Sequence, residues 1–160
     1  MLKFVSYSIV FQEVPNEVTL ALNISGCPNN CKGCHSPYLR EDVGEILDKG
    51  VLSDLLERYK NAITCVCFMG GDGDPEEIDR LSLFVAESTG NRVKTAWYSG
   101  KSCLFDNRFI EHFNYIKLGP YVESLGGLDS PSTNQRFYKI ENGKMVDQTA
   151  KLFRKSRISI

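Results

Sequence analysis

Residues 18–37 have the sequence VTLALNISGCPNNCKGCHSP, in which an alternating segment runs directly into a cysteine-rich loop. The alternation over residues 18–24 predicts a β-strand, and the turn residues Ser25 and Gly26 end it. Glycine, proline and asparagine follow at close intervals over residues 27–37, which predicts irregular structure. The loop carries three cysteines with the spacing C-x3-C-x2-C, namely Cys27, Cys31 and Cys34.

Strand and helix patterns alternate along the rest of the chain. Pro75, followed by acidic residues and an apolar face, predicts the start of a helix. We also expect a short helix capped by Ser53 and another helix around residues 106–113. Apolar runs of strand length predict three further strands, at residues 62–69, 92–98 and 115–118.

This alternation predicts an α/β fold with a parallel sheet and external helices. About four such units are too few for a complete eight-stranded barrel, which typically needs ~250 residues, so we expect a partial barrel or a small open sheet. Near the end of the chain, Asn142-Gly143 lies between two short strand patterns and predicts a C-terminal β-hairpin over residues 136–146. Nothing in the sequence marks a linker or repeat, so residues 1–160 are predicted to form one domain.

The composition excludes several classes of protein. Hydrophobic residues make up 42% of the 160 residues and charged residues 24%, which is typical of soluble globular chains rather than disordered ones. A net charge of −1 provides no basic field for nucleic acid. The chain has two histidines, His35 and His112, which are too few for a multi-histidine metal site. No apolar run is long enough to span a membrane, and no export signal is evident, so we expect a cytoplasmic protein without a membrane partner.

The cysteine loop has three competing interpretations. Cys31-Lys32-Gly33-Cys34-His35 matches the haem-attachment pattern C-x-x-C-H, although that chemistry belongs mainly to exported chains. Cys27, Cys31, Cys34 and His35 could instead supply four ligands to a structural zinc ion. The third interpretation is a four-iron cluster held by three cysteines, which leaves one iron open to another ligand.

A glycine-rich turn follows the second predicted strand. Gly70 and Gly71 permit positive φ and expose backbone groups, so a ligand can approach closely, and Asp72 follows them directly. An ordinary strand-to-helix turn, with an aspartate capping the helix, is the alternative. The loops after residues 24, 69, 98 and 118 would all lie at the carboxyl ends of the strands, where ligands bind in α/β folds. The remaining cysteines, Cys65, Cys67 and Cys103, are not assigned to a metal, and the first two are expected to be buried.

The C-x3-C-x2-C loop after a first strand resembles the radical S-adenosylmethionine enzymes, whose fold is a partial TIM-like barrel. The resemblance implies a [4Fe-4S] cluster on Cys27, Cys31 and Cys34 and S-adenosyl-L-methionine bound to the open iron. In that family one electron cleaves the cofactor to methionine and a 5′-deoxyadenosyl radical. The resemblance also implies that the cofactor is bound by Gly33, Cys34, His35, Gly70, Gly71 and Asp72. Asp74 could contact the cofactor in place of Asp72. At position 33 the chain departs from the family pattern, because Gly33 stands where the family often has an aromatic residue.

Further segments resemble the activating proteins of anaerobic ribonucleoside-triphosphate reductase. These are residues 25–28, 33–37, 118–125 and 132–136, while residues 11–15 depart from a Gly-Pro-Gly turn common in that family. The resemblance implies that the protein forms a glycyl radical on the large reductase subunit and receives its electron from a reduced flavodoxin-like donor. Because the substrate would be a protein loop, an open entrance to the barrel would suffice and no large pocket would be needed. Candidate docking residues are Tyr121, Asn134, Gln135 and Arg136. The alternatives are a small-molecule radical enzyme similar to deazaguanine synthases, or a non-catalytic iron–sulfur or zinc module.

Overall fold

The computed structural model describes residues 1–29, 31, 33–34 and 36–153. Eight strands form one sheet in this part of the chain. They are β1 (Leu2–Val10), β2 (Thr19–Ile24), β3 (Glu45–Leu47), β4 (Cys65–Met69), β5 (Lys94–Tyr98), β6 (Tyr115–Leu118), β7 (Arg136–Glu141) and β8 (Lys144–Asp147). The helices are α1 (Lys49–Arg58) and α2 (Pro75–Ser88), with 3₁₀ helices at Pro37–Arg40, Asn107–His112 and Thr149–Leu152.

The sheet is mixed, with a parallel centre. Its strand order is β3-β1-β2-β4-β5-β6-β7-β8, and β2, β4, β5 and β6 pair in parallel. The outer strands β1, β3, β7 and β8 pair antiparallel to their neighbours, and β7 and β8 form a hairpin around Asn142-Gly143. Within the described residues, β3 and β8 are the two edges and do not pair, so the fold is α/β with an open sheet. The partial TIM-like barrel stays a prediction.

The two α-helices begin at aspartate caps. Asp48 caps α1 by accepting from the Val51 amide at 2.9 Å, so Ser53 lies inside this helix and the prediction that it caps one was wrong. Asp74 caps α2, and Pro75 is its first residue, as the sequence predicts. None of the helices in the described ranges is long and apolar enough to cross a membrane.

The N-terminal strand β1 is an element that the sequence pattern does not reveal. Its register against β2 shifts between Phe4 and Ser6, which is a β-bulge. Before the bulge, Leu2 and Phe4 are buried against the helices, whereas after it Tyr7 and Ile9 pack there. The apolar residues therefore change from even to odd positions, and the period-two pattern of a strand is broken at the bulge.

The sheet separates two apolar clusters. The larger one lies between the strands and the helices and contains the interior-facing residues of α1 and α2. The smaller cluster lies on the opposite face and contains Val14, Cys65, Cys67, Ala96, Tyr98, Tyr115 and Phe137. Because successive residues of a strand point to opposite faces, the residues at positions 65, 67 and 69 of β4 share this second face.

A buried carboxylate, Glu17, lies beside the smaller cluster. Its side chain is 4% exposed and accepts hydrogen bonds from the hydroxyls of Tyr115 and Thr64 and from the Lys94 ammonium at 2.9 Å. Burial alone would raise the pKa of Glu17, but these three donors outweigh burial and lower the pKa below its ordinary value. The ionised form therefore stabilises the fold, tying β4, β5 and β6 to the segment before β2.

We expect Glu17→Gln to lower the free energy of unfolding at pH 7 by about 2 kcal/mol, because hydrogen bonds to a charged acceptor are lost. A lowered pKa gives stability that is present above the ordinary value of 4.5 and is lost as the pH falls further. The difference between wild type and variant should therefore shrink in acid. Urea unfolding from pH 7 to pH 3 measures it, with the exposed Glu111→Gln as a control. A difference that does not change with pH would contradict the ionised role.

Candidate metal centre

Four loops meet at the carboxyl ends of the parallel strands. The loop after β2 contains the three cysteines, and the loop after β4 contains the glycine turn. The loops after β5 and β6 begin at Ser99 and Gly119. Parallel strands carry these loops to one edge of the sheet, which is where α/β folds hold their ligands.

The cysteine loop is anchored by backbone hydrogen bonds to the segment that follows it. The Cys27 amide donates to the Leu39 carbonyl at 2.8 Å, and the Gly26 amide donates to the Glu41 carbonyl at 3.0 Å. The Arg40 guanidinium donates to the Cys31 carbonyl at 2.8 Å. The described residues Gly26, Cys27 and Cys31 are therefore bonded to residues 39–41.

All three loop cysteines are free and half-buried. A turn joins two of them, since the Cys34 amide donates to the Cys31 carbonyl at 3.2 Å. The Ser36 amide donates to Cys34 Sγ at 3.4 Å, and hydrogen bonds to sulfur are a means by which proteins tune iron–sulfur clusters. Thiolate sulfur is the usual ligand of such clusters, so the donor set fits one.

No single-ion site is formed by the described side chains. Across residues 1–29, 31, 33–34 and 36–153, no group of three or more His, Cys, Asp or Glu residues is placed to hold a metal ion. His35, the predicted fourth zinc ligand and a predicted cofactor contact, lies outside the described residues.

Gly33 is constrained by a residue of a distant loop. Its φ is +76°, and a Cβ added there would lie 2.7 Å from Cδ of Glu123. An L-amino acid would therefore be strained at this position and would also collide with Glu123. Gly33 is one of the residues that the resemblance assigns to cofactor binding, and the neighbour that the structure places beside it is Glu123, in the loop after β6.

The two glycines after β4 are required by the fold itself. Gly70 and Gly71 have φ values of +110° and +88°. A Cβ at Gly71 would lie 2.6 Å from Cγ1 of Ile78, in the core beneath α2. The Gly70 carbonyl accepts from the Trp97 indole at 2.7 Å. Substitution of Gly71 by valine would therefore disturb the core, so such a variant cannot report on ligand binding alone.

Asp72 and Asp74 have different surroundings. Asp72 Oδ2 accepts from the Asn29 carboxamide at 2.6 Å and from the Gly100 amide at 2.8 Å, and Asp72 Oδ1 accepts from the Ser99 hydroxyl at 2.5 Å. Asp74 caps α2 and pairs with the Met1 ammonium at 2.7 Å. Asp72 is thus the carboxylate that faces the cysteine loop.

Lys117 is a site residue that sequence reasoning missed. Its ammonium donates to the carbonyls of Ser99 at 2.9 Å and Gly119 at 3.0 Å, which ties together the loops after β5 and β6. Burial lowers the pKa of Lys117 to about 8, and the nearby Asp72, Cys31, Cys67 and Cys27 partly oppose that shift. A lysine inside the apolar run YIKL is the sequence signal that could have identified it.

A cavity of about 810 Å³ opens at the same end of the sheet. Met69, Tyr98 and Lys117 line it from the ends of β4, β5 and β6, and Tyr121 and Gln135 line it from the loop between β6 and β7. Ligand sites in proteins commonly have volumes of ~300–1,000 Å³, so this cavity has the size of a binding site.

The predicted docking residues are divided between the interior and the surface. The Asn134 and Gln135 carboxamides donate to the carbonyls of Pro120 at 3.1 Å and Gly119 at 3.3 Å, and Gln135 is buried. Arg136 is exposed and lies 3.7 Å from Asp147. Tyr121 lines the large cavity. Arg136 therefore offers the most accessible of these side chains.

The other cysteines do not join the cysteine loop. Cys65 and Cys67 are fully buried, as the sequence predicts, and burial raises the pKa of both thiols well above the ordinary value. Both therefore remain protonated thiols, which are poor metal ligands. Cys103 is exposed on the loop after β5.

Comparison with protein-family models gives one match. The model of a family described as "4Fe-4S single cluster domain" matches residues 17–107, which is more than half of the chain. The matched segment contains the cysteine loop, the glycine turn and Ser99, and it ends before Lys117 and the predicted docking residues. No curated protein sequence and no solved structure matches the chain at a significant level.

The half-buried ammonium of Lys117 should give the cluster-free protein a distinctive pH dependence. Because its pKa is lowered from 10.5 to about 8, the unfolded chain binds more protons between these values, and this residue's contribution to stability rises with pH. The unfolding free energy of wild type relative to Lys117→Met should increase by up to about 3 kcal/mol from pH 8 to pH 10.5. Urea unfolding measures it, and the exposed Lys139→Met provides the control. A difference independent of pH would contradict the prediction.

Proposed function

The chain belongs to the family of 4Fe-4S single cluster domains, and we propose that it is a radical S-adenosylmethionine enzyme that activates an anaerobic ribonucleoside-triphosphate reductase. The family match establishes an iron–sulfur domain, which is compatible with a redox enzyme. The cofactor S-adenosylmethionine and the reductase partner are our proposal. The product would be a glycyl radical on the large reductase subunit, with the electron supplied by a reduced flavodoxin-like donor.

The observation that carries this proposal is the cysteine loop at the sheet edge. Cys27, Cys31 and Cys34 are half-buried free thiols on one loop, and that loop lies within the matched segment. We propose that these three thiolates hold the cluster and leave one iron without a protein ligand. When bound, a cluster of this kind supplies the electron that cleaves S-adenosylmethionine to methionine and a 5′-deoxyadenosyl radical.

The chain's own residues have separate tasks in this proposal. The cofactor would lie between the cysteine loop and the turn after β4, near the backbone of Gly33, Cys34, Gly70 and Gly71. Asp72 would attract its ammonium group. A carboxylate has about four acceptor positions, and three donors already occupy Asp72, so one position remains for the cofactor.

The rim formed by the loop between β6 and β7, together with Arg136 at the start of β7, supports the proposal of a protein substrate. Asn134 and Gln135 hold the backbone of Gly119 and Pro120 in place, while Arg136 extends outward. A preformed rim with an exposed arginine suits docking of another protein surface, since arginine is enriched at interface hot spots. The backbone glycine of the reductase would then reach the cavity beside Lys117 and Tyr121.

A second candidate function is supported by the cavity of about 810 Å³. A protein loop as substrate needs only an open entrance to the site, whereas a cavity of this volume also suits a small-molecule substrate. A small-molecule radical enzyme would share the cluster and the cofactor and would not need the reductase. Deuterium transfer from labelled reductase glycine to 5′-deoxyadenosine distinguishes the two functions, because 5′-deoxyadenosine acquires the label from the reductase only if the protein is the activase.

We expect Cys27→Ala, Cys31→Ala and Cys34→Ala each to lose the cluster and the cleavage of S-adenosylmethionine. Cys103→Ala should retain both, and Cys65→Ala should retain them apart from a loss of stability in the core. After anaerobic reconstitution with iron and sulfide, iron analysis and electron paramagnetic resonance with and without S-adenosylmethionine measure these outcomes. Full iron content with full cleavage in Cys31→Ala would contradict the ligand assignment, and a spectrum unaffected by the cofactor would contradict the radical chemistry.

For the partner, we expect Arg136→Ala to lower the yield of glycyl radical on the reductase by about tenfold, because an exposed interface arginine is lost. Cleavage of S-adenosylmethionine with dithionite alone should be unchanged. Adding Asn134→Ala should strengthen the effect, since it releases the Pro120 carbonyl that positions the rim. The exposed Lys144→Ala serves as a control. Equal loss of both activities would indicate a defect in the fold, and survival of both would exclude this rim from the interface.

A further inference from the structure

We propose that Asn29 is a positioning residue, which fixes the cysteine loop against the turns after β4 and β5 before any cluster binds. Asn29 lies between the first two cysteines, and its carboxamide donates to Asp72 Oδ2 at 2.6 Å. Among the described residues, this is the side-chain hydrogen bond that links the segment between Cys27 and Cys31 to the turns after β4 and β5. The inference rests on the proposed cluster ligands.

The acceptor of this hydrogen bond is itself held in place. Asp72 receives the Ser99 hydroxyl on one oxygen and the Gly100 amide on the other, at 2.5 and 2.8 Å. Ser99 is buried, and its carbonyl accepts from Lys117 at 2.9 Å. A chain of hydrogen bonds therefore runs from Asn29 through Asp72 and Ser99 to Lys117, and it connects the loops of four successive parallel strands.

The packing around Asn29 shows that this contact is tight. A Cβ added to Gly100 would lie 2.6 Å from Asn29 Nδ2 and 3.4 Å from Asp72 Oδ2. Only glycine leaves the carboxamide room to reach the carboxylate. Gly100 therefore lies against both partners of the hydrogen bond, and its amide also donates to Asp72 Oδ2 at 2.8 Å.

The other anchors of the loop do not replace this one. The amides of Gly26 and Cys27 bond to the carbonyls of Glu41 and Leu39, and Arg40 bonds to the carbonyl of Cys31. These contacts bond Gly26, Cys27 and Cys31 to residues 39–41, which follow the loop in the chain. Toward the turn after β4 the loop packs at Gly73, where an added Cβ would lie 3.2 Å from the Gly26 carbonyl oxygen and 3.9 Å from Pro28 Cδ. The Asn29 hydrogen bond to Asp72 adds a directional link to this packing, and through it Asn29 would fix the placement of the three thiols relative to the proposed cofactor region.

The first test uses the cluster-free protein. Trypsin cleavage after Lys32, mapped by mass spectrometry, should be about tenfold faster in Asn29→Ala than in wild type, because a hydrogen bond to a charged acceptor is lost. Asn29→Asp should be cleaved at least as fast, since it places a second carboxylate against Asp72. Asn23→Ala is the matched control, because it removes an asparagine hydrogen bond of 2.9 Å to Ser6 outside the loop. Circular dichroism melting verifies that each variant folds.

The second test uses the reconstituted protein. Iron release to a chelator, measured anaerobically without S-adenosylmethionine, should be about tenfold faster in Asn29→Ala and unchanged in Asn23→Ala. Cleavage after Lys32 at the wild-type rate would overturn the inference, as would faster cleavage together with wild-type iron release. If the wild-type protein takes up no iron, the proposed cluster ligands are wrong, and so is the part of the inference that concerns the cluster. The trypsin experiment would still decide whether Asn29 fixes the loop in the cluster-free protein.

Discussion

The carboxylate of Asp72 is the point on which the site depends. Backbone hydrogen bonds hold parallel strands together only as far as the strands extend, so the loops beyond their ends need other links. Asp72 supplies such a link by accepting from the loop after β2 and twice from the loop after β5. Hydrogen bonds to an ionised acceptor are stronger than neutral ones, which suits a single residue that joins three loops.

The central strands and α2 could be predicted from the sequence because their signals are local. Apolar runs mark β2, β4, β5 and β6, and Pro75 marks the start of α2. The N-terminal strand could not be predicted in this way, since the bulge after Phe4 changes which positions are buried. The cap of α1 was misplaced because Ser53 and Asp48 are both good capping residues, and the chain uses the aspartate.

The sequence indicates the cysteines of the candidate site, but it does not indicate the hydrogen bonds that hold the surrounding loops together. A spacing of three cysteines is visible in one short segment, whereas Asn29 and Asp72 are separated by 43 positions. Lys117 meets Ser99 and Gly119 only after β5 and β6 pair. The glycines show a different limit, because the side chains that require glycine at positions 33 and 71 are those of Glu123 and Ile78, and the sequence around each glycine does not indicate these contacts.

The six cysteines fall into three environments, and this distribution has a practical use in chemical labelling. Cys65 and Cys67 are buried and protonated, and thiol reagents attack exposed thiolates. If the three loop thiols hold the cluster as proposed, Cys103 is the remaining exposed thiol. It lines a recess of about 290 Å³ that also contains Asp72 and Ser99. A fluorophore or nitroxide attached at Cys103 would therefore sit beside the centre and sense ligands arriving there without any engineered cysteine.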